Sequence, residues 1–355
     1  MKVLILPAHR NPSDTASFML ARDIEAMMES NGRQTAVCSK LTGFSNAVKF
    51  DAPVPSAKKK LFGKWDAPDS QEEVLYRSGM LEAAFLKDDI DAVRKAIRTY
   101  QPDMIFEFCR PSGIIAARAE NIPFISYVPY GTYKDIPFET SYLKAINKAL
   151  SDHHLEQILR IRDMYDAAAR RITIGPSMLY PKMKNVYQLG SLCSHRKAHT
   201  EKKQVCIFLG SSGKWPKELI EESFLGAPYD VFAWYTDAQA SARGHLKIMS
   251  TPRTELIAGS EACIHDGTDV VFSKCLYLGI PQILIDDGSW NRHRNASALI
   301  RLGSGIVLNE ETVTMAKLYE SYRKIVTEPA YKKRALRTAE ALYNDPDLSE
   351  TAKHF

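Results

Sequence analysis

The feature that most constrains this chain is a pattern that occurs twice: a short apolar run, a polar loop, an amphipathic helix, then another apolar run. "KVLILPA" (from Lys2) passes through Asn11-Pro12-Ser13-Asp14 into "ASFMLARDIEAMMESNG", where Ser13 or Asp14 can cap a helix and Gly32 can stop it. "QTAVCS" then supplies a second strand. "VCIFLGSSGKWPKELIEESF", from Val205, repeats the sequence of strand, Gly-rich loop and helix. Strands that alternate with helices in this way pair in parallel and form a doubly wound sheet. The expected fold class is therefore α/β, with two Rossmann-like domains joined at the basic, small-residue stretch "LGSLCSHRKAHTEKKQ", Leu189 to Gln204.

Between these landmarks, Leu41 to Trp65 is irregular and reads as a surface excursion. Helical periodicity returns over Glu72–Gln101, and "MIFEFC", "PFISYV" and "RITIGPS" read as further strands. In the second half "YDVFAWY", "LKIMS", "ACIHDG" and "PQILID" do the same, and the tail from Glu310 reads as helices.

Composition excludes several functional classes. With 45% hydrophobic and 25% charged residues the chain is an ordinary globular one. Its 355 residues suit two cores better than one. A net charge of +5 is mild, and the densest basic run, Lys58-Lys59-Lys60, lacks interleaved aromatics, so no nucleic-acid partner is expected. No apolar run approaches the ~20 residues of a membrane span, and none is expected. Cys38, Cys109, Cys193, Cys206, Cys263 and Cys275 form no C-x-x-C pair, which points to a reducing compartment and to no zinc site. The apolar start is too short for a signal peptide and runs straight into His9-Arg10-Asn11-Pro12, so the expected location is cytoplasmic.

Three polar loops fall at carboxyl ends of expected strands, where α/β sheets bind ligands. They are Ala8 to Pro12, Gly210-Ser211-Ser212-Gly213-Lys214, and His265-Asp266-Gly267-Thr268-Asp269. The second loop opens a helix with exposed N–H groups suited to an anion, but lacks the Walker spacing; Gly and Ser also serve ordinary turns. His265 admits four roles: metal ligand with nearby aspartates, general base, phosphate donor, or plain loop residue.

"ELIAGSEACIHDGTDVVFSKCLYLGIPQILIDDGSWNRHRNASALIRLGSGIVL" resembles the donor-binding region of GT-B nucleotide-sugar glycosyltransferases, the superfamily of macrolide, antibiotic and UDP-dependent enzymes. His265, Gly267, Gly279-Ile280-Pro281, Asn295-Ala296 and Gly303-Ser304-Gly305 stand in that family's order. Ala8-His9-Arg10-Asn11-Pro12 resembles its Gly-His-x-x-Pro, and "QPDMIFEFCRPSGIIAARAENIPFIS" resembles its acid-bearing strand and helix. The resemblance implies a GT-B fold of two facing doubly wound domains with a cleft between them. Residues 1–195 would bind the acceptor, 204–335 the nucleotide-sugar donor, and a helix within 336–355 would return to the first domain.

The implied activity is inverting, metal-independent transfer of a sugar to a small-molecule hydroxyl. A UDP- or dTDP-sugar is the co-substrate, and no further cofactor is expected. His9 would be the base and Glu107 its orienting acid. Ser211, Ser212, Gly213, His265, Gly267, Thr268 and Asp269 would lie at the diphosphate, Asn291 and Arg292 at the sugar, and Arg253 at the nucleotide base. The pattern also departs from the family: Asp266 and Asp269 replace glycines, Val270 a hydroxyl residue, Ser273 a glutamate, and Asn291-Arg292 an Asp-Gln pair. An unusual donor would explain these changes. So would a non-catalytic homologue that helps a partner glycosyltransferase, or an epimerase or hydrolase on the same fold. A second copy of the chain is a further candidate partner.

Overall fold

A computed structural model describes residues 1–8, 15–40, 44, 47–59, 71–128, 140–160, 162–180, 182–190, 192, 203–210, 217–235, 238–346, 350 and 353. The chain divides into two compact units, one of residues 1–174, 182–189 and 352–355, the other of 175–181 and 190–351. The expected boundaries were 195 and 204; instead a seven-residue piece, 175–181, is grouped with the second unit ahead of the polar linker.

In the first unit the strands are β1 (Lys2–Pro7), β2 (Gln34–Cys38), β3 (Val48–Phe50), β4 (Met104–Phe108), β5 (Phe124–Tyr127), β6 (Arg170–Ile174) and β7 (Tyr187–Leu189). They pair in parallel in the order β3-β2-β1-β4-β5-β6-β7. Val3 to Leu6 are wholly buried, as expected of a central strand covered on both faces. The helices are α1 (Thr15–Ser30), α2 (Gln71–Arg77), α3 (Ala83–Tyr100), α4 (Pro111–Ala119), α5 (Thr140–Asp152) and α6 (Arg162–Tyr165). The strand order reverses between β1 and β4, so the crevice of this sheet lies where Ala8 and Cys109 leave their strands.

Two local expectations need correction. The irregular stretch from Leu41 contains β3, which pairs with β2 through Ala36↔Val48 and Cys38↔Phe50. The helical periodicity from Glu72 is broken into α2 and α3 at Gly79, which has φ +82° and where a Cβ would lie 2.2 Å from the Ser56 carbonyl oxygen. Only glycine fits that turn and that approach.

In the second unit the strands are β8 (Gln204–Leu209), β9 (Asp230–Tyr235), β10 (Ser241–Arg243), β11 (Leu246–Ile248), β12 (Ala262–His265), β13 (Gln282–Asp286) and β14 (Gly305–Asn309). Their order is β10-β11-β9-β8-β12-β13-β14, parallel except for the β10–β11 hairpin. The helices are α7 (Lys217–Phe224), α8 (Asp269–Leu278), α9 (Trp290–Leu302), α10 (Met315–Thr327) and α11 (Pro329–Ala341), with a 3₁₀ turn at Thr254–Gly259. Here the order reverses between β8 and β12, which places Gly210 and His265 side by side at the switch point. Helix α11 packs on α8 and α9 of its own unit; of the expected returning segment 336–355, residues 347–349, 351, 352, 354 and 355 lie outside the described residues.

Candidate functional site

The second unit's site is built where β12 ends. His265 is wholly buried and both ring nitrogens have partners: Nδ1 accepts from the Gly267 N–H at 3.0 Å, so the Nε2 hydrogen goes to Gln282 Oε1 at 2.8 Å. Burial holds its pKa down to about 4, with the Gln282 contact and the Asp266 charge acting in the opposite direction. His265 is therefore a neutral structural histidine that shapes the turn. The phosphate-donor role implied by the resemblance does not fit it, because neither nitrogen presents an N–H outward.

Gly267 lies at φ +81°, and a Cβ there would come within 3.2 Å of Arg292 Cβ. Its glycine is thus required both by the backbone and by the close approach of α9. Asp266 closes the turn: Oδ1 accepts from the Thr268 N–H (3.1 Å) and hydroxyl (2.6 Å), and Oδ2 from the Gly210 N–H (3.2 Å) and Arg292 Nη2 (3.3 Å). The other Arg292 nitrogen, Nη1, pairs with Asp287. Arg292, which the resemblance assigns to the sugar, is nine-tenths buried between two carboxylates.

Asp269 begins α8 and accepts from Asn295 Nδ2 (2.7 Å) and Arg294 Nη2 (2.9 Å), and Asn295 Nδ2 also reaches the Gly267 carbonyl (3.0 Å). Arg294 further bonds the Tyr180 hydroxyl at 2.9 Å, and its guanidinium lies 4.8 Å from that ring's centre. The structure thus places these residues in two adjacent hydrogen-bonded networks, one of His265, Gly267 and Asp269 with Asn295, the other of Thr268 and Arg292 with Asp266. Asn291 sits at its margin, its amide oxygen 3.3 Å from the Ser289 hydroxyl. Arg253 is exposed and paired with Glu255 at 2.8 Å, just before the 3₁₀ turn. Ser211, Ser212 and Gly213 lie outside the described residues. Tyr180, Arg294 and the buried Lys274, whose ammonium donates to the Thr254 hydroxyl at 2.8 Å, were not anticipated from sequence.

His9, the expected base, also lies outside the described residues; Ala8 before it donates its N–H to the Phe108 carbonyl at 3.1 Å. Glu107 stands between Leu6 and Ser126 in the sheet register, so the three side chains share one face. It is wholly buried, and Oε2 accepts from the Arg110 N–H at 3.2 Å. Burial raises its pKa from 4.5 to about 8, against the opposing contributions of Ser126 and Arg110. Around neutral pH Glu107 is a protonated acid, not the anion the resemblance implies for an orienting partner.

That shift has a stability consequence with a defined sign. Between about 4.5 and about 8 the unfolded chain has lost the Glu107 proton while the folded chain keeps it. Stability from this group therefore falls as pH rises through that window, by about 1.4 kcal/mol per pH unit, and is level outside it. Glu107→Gln should remove this slope and raise the denaturant midpoint at pH 8 relative to the parent. Urea titrations from pH 5 to 8 that show the same slope in both proteins would refute the assignment.

Among the described residues there is no cluster of three or more His, Cys, Asp or Glu side chains able to hold a metal ion. The five described cysteines are free and buried, and no described helix is long and apolar enough to cross a membrane.

The two doubly wound sheets define a fold class, proteins of two Rossmann-like domains, and comparison with known proteins narrows it. Residues 242–355 match the family described as erythromycin biosynthesis protein CIII-like, C-terminal domain. The 3-alpha-mycarosylerythronolide B desosaminyl transferase of Saccharopolyspora erythraea is 28% identical over 162 residues, which cover 42% of this chain and 38% of that protein. The match thus spans well under half the length of that relative. Spinosyn forosaminyltransferase SpnP shares the fold at a TM-score of 0.65 and 16% identity, with 100% of this chain and 98% of that one covered. The glycosyltransferase VinC, solved in complex with dTDP, gives a TM-score of 0.65 at 14% identity, with 100% and 98% covered. Residues 242–355 thus match that C-terminal domain family in sequence, and the whole chain shares the GT-B fold of these glycosyltransferases.

Proposed function

We propose that this protein transfers a sugar from a nucleoside-diphosphate sugar to a hydroxyl of a small natural-product acceptor, with inversion and without a metal ion. The observation that carries this reading is the coincidence of the matched segment with the switch-point loop. Residues 242–355 include β12, α8 and α9, and the 265–269 turn they form lies beside Gly210, where open α/β sheets receive phosphorylated ligands. The nucleotide we favour is dTDP, the ligand of a protein with the same fold.

An inverting transfer needs a base at the acceptor hydroxyl and electrostatic stabilisation of the departing diphosphate. His9, two residues after β1 in the sequence, supplies the base in this reading. The start of α8 and Arg292 supply the stabilisation, together with Ser211, Ser212 and Gly213. The carboxylates that a metal would need, Asp266 and Asp269, are engaged by Arg292, Arg294, Asn295 and Thr268, which favours the metal-free form of the reaction. Free buried thiols suit a reducing, cytoplasmic setting.

A panel of dTDP-, UDP- and GDP-sugars, scored first by calorimetry and then for turnover on macrolide and polyketide aglycones, tests the proposal. The expected result is binding of one nucleotide class and acceptor-dependent release of its diphosphate. Binding without any release would identify a non-catalytic partner of another glycosyltransferase. Release without acceptor would identify an epimerase or hydrolase.

A further inference from the structure

Five donors at the donor-site loop, from Gly210, Gly267, Thr268 and Arg292, already have acceptors inside the protein. The Gly267 N–H goes to His265 Nδ1. The Gly210 N–H, the Thr268 N–H, the Thr268 hydroxyl and Arg292 Nη2 converge on one carboxylate, that of Asp266. Those four donors come from the ends of β8 and β12 and from α9, which is the set a bound phosphate group would draw together at a switch point. Asp266 is 3% exposed, so its charge is weakly screened by solvent.

We propose that the Asp266 carboxylate is a built-in anion that occupies the phosphate cradle of the donor loop and sets a threshold on diphosphate binding, with Arg292 as the cation that changes partner when the donor enters. The inference rests on the donor-site reading above and goes a step further. It explains how a loop with an acid in a family glycine position stays folded: the acid does the anion's work when the site is empty. It also explains why Arg292 carries a second carboxylate partner, Asp287. Once a phosphate displaces Asp266 from the guanidinium, Asp287 keeps Arg292 in place and pointed at the same region. A diphosphate that enters must take donors from Asp266 and lie beside its charge, so weak anions are rejected and only ligands with further contacts to base and sugar compete.

The test compares the parent with Asp266→Asn and Asp266→Gly. The asparagine keeps the Oδ1 acceptor for Thr268 and removes the charge, and Arg292 retains Asp287. Calorimetry with dTDP, UDP and inorganic pyrophosphate should show about tenfold or greater tightening for the favoured nucleotide and for pyrophosphate in both variants. Thymidine or uridine, which carry no phosphate, should bind all three proteins alike. Circular dichroism confirms that each variant is folded. Should Asp266→Asn be unfolded, the glycine variant, which matches the family residue, carries the test; if both unfold, Asp266 is a structural tether and the inference is overturned. Equal or weaker nucleotide binding by folded variants overturns it too, while leaving the donor-site reading intact. If neither the parent nor the variants bind any nucleotide, the donor-site reading fails first and this inference falls with it.

Discussion

Asp89→Ala should destabilise the first unit by about 3–5 kcal/mol, the range for removing one partner of a buried ion pair. Asp89 and Arg110 are 0% and 1% exposed, and the guanidinium grips the carboxylate with both edges, Nε–Oδ2 at 2.9 Å and Nη2–Oδ1 at 2.6 Å. The Ser112 hydroxyl donates to the same carboxylate, and Arg110 Nη1 donates to the carbonyls of Pro7 and Cys38. One buried cation thus ties the ends of β1 and β2 to α3 and the start of α4. Without Asp89 its charge would stand unpaired in the core, and a loss of that size is comparable with the total stability of many domains. Asp89→Leu with Arg110→Met should recover much of the loss by replacing charge with apolar volume. The two orphaned carbonyls keep that recovery incomplete. Urea unfolding followed by circular dichroism checks both; a change under about 1 kcal/mol in Asp89→Ala would mean that the pair is not what holds the strand ends.

The consequence for function is geometric. Pro7 and Cys38 are the last residues of β1 and β2, and Ala8 is the last described residue before His9. The Arg110 network therefore fixes the ends of β1 and β2 at this sheet's switch point. Cys109, at φ +56°, turns β4 sharply so that Arg110 can run back beneath the sheet ends, and Pro111 then opens α4. A β-carbon in the left-handed region costs about 1–2 kcal/mol, which the buried network offsets.

Much of this scaffold could be read from residue pattern alone, and the parts that could not share a cause. Long apolar runs such as "KVLILP" and "QVCIFL" identify buried parallel strands because no other element leaves both faces covered. β3 and β10 are three residues each, too short for a period of two to show, and all three residues of "SAR" are exposed. Asp89 sits in "KDDID", which reads as a solvated run, although its phase puts it on the buried face with Leu86, Ile90 and Val93. His265 looks the same in sequence whether its nitrogens face a ligand or the core. What decides it is Gln282, seventeen residues later, and that contact depends on register. β12 and β13 pair Cys263 with Gln282, so His265 and Gln282 lie diagonally on one face. The apolar run before His265 marks the loop as a strand end, but the ownership of each hydrogen bond within it emerged only once the strand ends and α9 were set against one another.

The largest expected effect on activity is that of His9→Ala. A positioned base contributes about 10²–10⁴-fold to a proton-coupled transfer, so kcat should fall by that factor. Every described donor-site group belongs to the second unit, from Gly210 to Asn295, while His9 follows β1 of the first. Loss of the imidazole should therefore leave the dissociation constant for dTDP unchanged, within about twofold. Glu107 sharpens the expectation. Burial keeps Glu107 a protonated acid at pH 7, so it carries no charge with which to hold a partner, and the pH–rate profile of the parent should fall on the acidic side, where a histidine base is protonated. Glu107→Gln, which preserves the neutral form, should keep most of the activity, whereas a partner acting as an anion would lose it on the same change. Stopped-time assays of diphosphate release across pH 5.5–9, paired with calorimetry on dTDP, separate these outcomes. Near-normal turnover in His9→Ala would remove the histidine from the mechanism and move the search for a base to the remaining residues of the first sheet's crevice.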